Sequence, residues 1–258
     1  MQIFIEERSP GSLLLDVPAP ESSKRGRAPA KPTALPEWWL PEASSASPTF
    51  CPESRLAAIQ QQARQLLAHL EQSKLRGQDY SLLDLVVLAL FSQESGADLG
   101  AQPSTQGARE SMFRSGVHAA LQACRESDET SASQPVPAFG GLSARQFVAH
   151  LSAALGLSAE RAVVLTHQAL AATLRALVVD AESAYRRGIP SEGRAAAKGL
   201  IRLLRAFPLP QDAPEAELVG GSLREDLAMG HAIMGACLEM DPAVAPYVAV
   251  LLGEGGRA

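Results

Sequence analysis

The sequence predicts a mainly α protein: a bundle of about seven or eight helices, in one body or two abutting subdomains, behind a largely disordered N-terminal arm. Three observations predict it. Alanine and leucine dominate an apolar share of 46%, while aromatics make up only 5%; Ala and Leu lose little on entering a helix, and strand formers are scarce. From Ser54 onward, apolar residues recur at three- and four-residue steps, the period of a helix with one buried stripe. Serines and aspartates at cap spacing, with glycines behind them, mark where such helices start and stop.

The arm covers residues 1–53. Its first part, Gln2–Val17, holds two short apolar patches around a Ser-Pro-Gly turn, which suits a weak hairpin or a strand that adds to another protein's sheet. The rest is dense in Pro, Ser and Ala and has no helical period. Residues 54–127 form the first expected helical subdomain. Leu56, Ile59, Ala63, Leu66, Leu67 and Leu70 make the stripe of its first helix, which Gly77 ends. A second helix, near Leu82–Gln93, is apolar nearly all round and belongs in the centre. Ser81 and Asp84 stand at cap spacing at its start, so Asp84 is read as helix-stabilising. A third helix spans about Gln106–Glu126.

The polar run after Glu126 suits a boundary, and residues 140–252 form the second expected subdomain. Ser143 and Gln146 have capping-box spacing and open a helix to about Leu155. A short turn at Gly156 leads into a long helix reaching Arg187, so these two form a hairpin. Ser222 and Glu225 share the same spacing and are read as opening a helix to about Met240. Its Met229, Ile233, Ala236, Cys237 and Met240 share one face, with His231 opposite; core packing explains that stripe better than a soft-metal site. Asp241 and Pro242 start a last short helix.

Two stretches suggest binding. In SEGRAAAKGLIRLLRAF (191–207), Arg194, Lys198, Arg202 and Arg205 fall within about one quadrant at 100° per residue. Apolar residues hold the opposite side, giving a basic amphipathic helix about 25 Å long. Such a face suits an anionic protein surface, a nucleic-acid backbone or a membrane surface. The plain alternative is a core helix with a solvated basic face, and Asp212, Glu215 and Glu217 follow closely enough to neutralise it. In LPEWWLPE (35–42), the chain's only two tryptophans, Trp38 and Trp39, stand side by side. Either they anchor on the protein's own body or they form a partner motif, since exposed indoles in a polar tail are costly. Nearby, Lys24, Arg25, Arg27 and Lys31 read as a solvated charge run.

Catalytic signatures are sparse. No G-x-S-x-G elbow, phosphate loop, G-x-G-x-x-G or H-E-x-x-H occurs. The five histidines lack ligand spacing and the three cysteines form no CxxC pair, so no cofactor or metal is implied and a reducing compartment is expected. One segment stands apart. Glu94-Ser95 closes an apolar helix, and after a small-residue loop Gly107-Ala108 and Met112 open the next. This resembles the catalytic segment of lytic transglycosylases of the goose-lysozyme-like superfamily. The resemblance implies that Glu94 protonates a glycosidic oxygen from an apolar setting. The chain departs from that family after Ala108, where it runs Arg109-Glu110-Ser-Met-Phe113, and it lacks the family's downstream tyrosine motif.

The leading expectation is a non-enzymatic interaction protein, an adaptor, assembly or secretion-associated factor, cytoplasmic and engaging a protein partner through Trp38, Trp39, Arg194, Lys198, Arg202 and Arg205. The alternatives are a glycan-cleaving enzyme acting through Glu94 and a nucleic-acid-associated protein using the basic helix. A net charge of −5 weakens the last of these.

Overall fold

The computed structural model describes residues 35–39, 52–96, 99–127, 136–210 and 212–252. The hairpin expected near residues 2–17, the Lys24–Lys31 charge run, Cys51 and the boundary run 128–135 lie outside the described residues. Among the described residues the chain is mainly α: nine α-helices, three short 3₁₀ turns and no strand.

Local chemistry sets the helix ends. α1 (Glu53–Leu75) buries Ile59, Ala63, Leu67 and Leu70 and stops just before Gly77, which takes a left-handed φ of 79°. α2 (Leu82–Ser95) starts where the Ser81 hydroxyl accepts the Asp84 N–H at 3.4 Å, and ends on left-handed Gly96. α3 (Gln106–Glu126) is capped by Thr105, whose hydroxyl accepts the Ala108 N–H. α4 (Ala144–Ala154) carries the complete reciprocal capping box of Ser143 and Gln146. α5 (Ala159–Arg186) follows a Ser158 cap, and α6 (Pro190–Ala206) places proline in its first turn, where a missing N–H costs nothing.

The next boundary differs from expectation. Instead of one helix opening at Ser222, α7 (Pro214–Glu225) and α8 (Leu227–Met240) meet at Asp226. Pro214 starts α7 from its first turn. The true cap is Asp226, whose carboxylate accepts the Met229 N–H at 3.2 Å. Ser222 sits inside α7, where its hydroxyl accepts from Arg175 and donates to the Leu218 carbonyl. Asp241 then accepts the Ala243 N–H over a Pro242–Val244 3₁₀ turn, and α9 (Ala245–Leu252) ends the fold.

α5 is the hub. It packs most extensively on α6 and also meets α3, α4, α7 and α8. It is the one described helix long and apolar enough to cross a membrane by length and composition, and over half of that stretch is buried inside the protein. α3 reaches α4, α5 and α6, while α2 packs chiefly on α4. The described residues form one compact unit. Its core includes Phe113, Phe139, Phe147 and Phe207, with Phe139 and Phe147 stacked at 4.5 Å between ring centroids. α8 contributes Ile233, Met234 and Cys237 to the core and leaves His231 exposed.

Candidate functional site

The basic stripe of α6 folds as a face, but its four cations meet different fates. The apolar side is buried as its period requires, with Ala197, Leu200, Leu203, Leu204 and Phe207 at 1% exposure or less. Arg194 and Lys198 lie exposed, and among the described residues neither side chain has a hydrogen bond or ion pair. Arg202 turns inward and donates to the Arg125 carbonyl at 2.8 Å. Arg205 pairs with Asp241 at 2.6 Å, where the carboxylate is only 15% exposed. Arg145 of α4 closes the same end of α6, donating to the Arg205 and Ala206 carbonyls, which have no helical partner. The acids just after the helix do not neutralise the stripe as expected among these contacts: Glu217 pairs with Arg224 within α7.

The tryptophans pack on the protein's own body. A 3₁₀ turn, Glu37–Trp39, lays both indoles inside, at 5% and 8% exposure. Trp38 meets Phe207 edge-on at 5.0 Å between centroids, and the His167 ring of α5 lies 5.8 Å away. The seat is imperfect. Among the described residues, neither Trp38 Nε1 nor His167 Nε2, both buried, has a hydrogen-bond partner. Burial alone pushes the His167 imidazole down to about 4.

Glu94 sits in the last turn of α2, about a third exposed, and its carboxylate is met by the Arg55 guanidinium of α1. It lines neither of two grooves formed by the described residues. One, of about 510 Å³, runs between α5, α6 and the end of α3 and mixes Arg125, Arg187 and Arg202 with Asp180 and Glu192. Gly199 lets the stem of Arg125 approach α6 there, at 3.3 Å from where a Cβ would stand. Arg187 and Glu192 pair at 2.8 Å. The other groove, of about 350 Å³, lies between α1 and α2 and is lined by Leu66, His69, Val87 and Phe91 with two glutamines.

Periodicity missed a two-pronged ion pair between α3 and α5. Glu110 on α3 takes a two-pronged grip from Arg161 on α5, at 2.9 and 2.7 Å. Hydrogen bonds from Arg161, helped by Gln106, hold its carboxyl down at about 2. The only sequence signal was a carboxylate at the start of one helix and an arginine at the start of another. Cys124 and Cys237 are buried, which pushes their thiols up to about 11 and about 12 and leaves them poor nucleophiles. Among the described residues no group of three or more His, Cys, Asp or Glu is placed to hold a metal ion. Compared with family models, curated proteins and solved structures, the chain finds no match.

Proposed function

We propose that this chain is a non-enzymatic interaction protein that engages an acidic surface on a protein partner through the N-terminal half of α6. One observation carries this reading. Arg194 and Lys198 are exposed one helical turn apart, and they are the two stripe cations without a partner among the described residues. Solvated cations on a rigid helix keep their full charge available to a partner and lose little desolvation energy before contact. Trp38 and Trp39, being buried, serve the protein's own body in this state, so the contact surface narrows to α6.

Photo-crosslinking in the native cell tests this, with the crosslinker placed in turn at Arg194, Lys198 and, as an inward-facing control, Arg205. The reading requires one discrete protein adduct from Arg194 and Lys198, weakened by raising salt during capture and missing from Arg205. Equal adducts from all three sites, or none from the first two, would overturn it.

The glycan-cleaving reading needs Glu94 as an acid in an apolar cleft. The Arg55 pairing weighs against that, since a nearby guanidinium favours the charged carboxylate. Purified peptidoglycan incubated with the protein and with Glu94→Gln separates the two readings. Release of fragments by the first protein but not the second would replace the interaction proposal with an enzymatic one.

A further inference from the structure

The two tryptophans and His167 form a device that the interaction reading does not use. Trp38 and Trp39 lie on one short turn, 5.6 Å apart between ring centroids and nearly perpendicular. Trp38 contacts both the His167 ring, tilted at 5.8 Å between centroids, and the Phe207 ring, edge-on at 5.0 Å. His167 is 6% exposed, and among the described residues its Nε2 has no hydrogen-bond partner. A proton added at Nε2 would create a buried N–H carrying positive charge with nothing to receive it, which is strongly unfavourable. Water can receive it only if the turn lifts away.

We propose that Glu37–Trp39 is a proton-operated latch: protonation of His167 drives the Trp38–Trp39 turn off its seat while the helical body stays folded.

Among the described residues, burial is the one cause that lowers His167, and no charged group offsets it. The Glu110–Arg161 and Arg175–Ser222 contacts fix how α3 and α7 align with α5. The elements packed on α5 carry Arg114 and His118 (α3), Arg145 and His150 (α4), Arg205 (α6), Glu215 (α7) and His231 and Glu239 (α8), and the turn itself carries Glu37. Arg205 and Arg145 are occupied by Asp241 and by helix-end carbonyls. Glu37 is exposed. None of these groups contributes to lowering His167, which burial alone produces.

The sign follows from linkage. Released, the imidazole titrates near 6.5; seated, at about 4. The seated state is therefore fully favoured above 6.5, loses ground as pH falls through 6.5, and stops losing below about 4. Between pH 7.5 and 5 the seating constant falls on the order of thirtyfold.

Hydrogen exchange of the two indole N–H groups in the full chain reads this directly, because the protein has no other tryptophan. Rates are corrected for free indole at each pH, and amides of Leu170 and Leu200 report the helical body. Indole protection is expected to fall about thirtyfold from pH 7.5 to 5 while those amides hold theirs. His167→Phe and His167→Gln should each keep protection within about threefold over the same range. His150 is also lowered by burial, so His150→Gln must behave as the native chain does. A flat native profile would overturn the latch. So would parallel loss at the helix amides, a native-like fall in both His167 variants, or a flat profile in His150→Gln.

Discussion

The two ends of α6 carry the same sequence pattern and do different work. At the N-terminal end, Arg194 and Lys198 stand in water. At the C-terminal end, Arg205 is held by Asp241, Arg202 reaches the Arg125 carbonyl, Arg145 closes the last turn, and Phe207 supports Trp38. A helical wheel treats all four cations alike because it sees only angle. What separates them is what comes to meet each end from 36 residues onward in the chain for Arg205 and 77 residues back for Arg202. A charged stripe therefore identifies a face, and the partners of that face decide whether it is a docking surface or part of the scaffold.

The largest effect should come from the structural end. Phe207→Ala removes a fully buried ring and one wall of the Trp38 seat, so urea unfolding should report a loss of about 3–5 kcal/mol. The tryptophan emission should also shift to the red. Glu110→Gln supplies a middle scale, because Arg161 shows what a cation bound to an acid contributes. With its folded value near 2, Glu110 stabilises the protein fully above its ordinary range near 4.5, and that contribution is lost as pH falls toward 2. Stability measured from pH 6 to 3 should fall less steeply in Glu110→Gln than in the native chain. At pH 7 the variant should be less stable by about 1 kcal/mol, since Arg161 is partly solvated. Glu94→Gln should cost about 0.5 kcal/mol or less, an exposed-pair value. Charge reversal at Arg194 and Lys198 together should change stability least, by less than about 0.5 kcal/mol, because nothing within the described residues depends on them.

Much of the fold was legible because its signals are local. The Ser81, Ser143 and Asp241 caps each act within four residues, and the α3 limits coincide with the sequence reading. α7 was not legible for an equally local reason. The sequence reading opened a helix only at Ser222, while Pro214 in fact occupies the first turn of α7, and the Ser222 spacing copied a cap inside a helix whose neighbour Asp226 does the capping. The surface was only half legible. Tryptophans beside prolines announce that something must cover them, but Phe207 and His167 lie well over a hundred residues away, and no period links them. The Glu110–Arg161 pair spans 51 residues and is invisible for the same reason.

The division of α6 is tested most directly by thermal unfolding of two variants side by side, Arg205→Glu and Lys198→Glu. Arg205→Glu sets a carboxylate against the largely buried Asp241 and should lose about 2 kcal/mol, or roughly 4–8 °C for a body of this size. Lys198→Glu should unfold within about 1 °C of the native chain. Equal losses in both, or a larger loss in Lys198→Glu, would contradict the claim that one end of the stripe builds the protein and the other end is free to meet a partner.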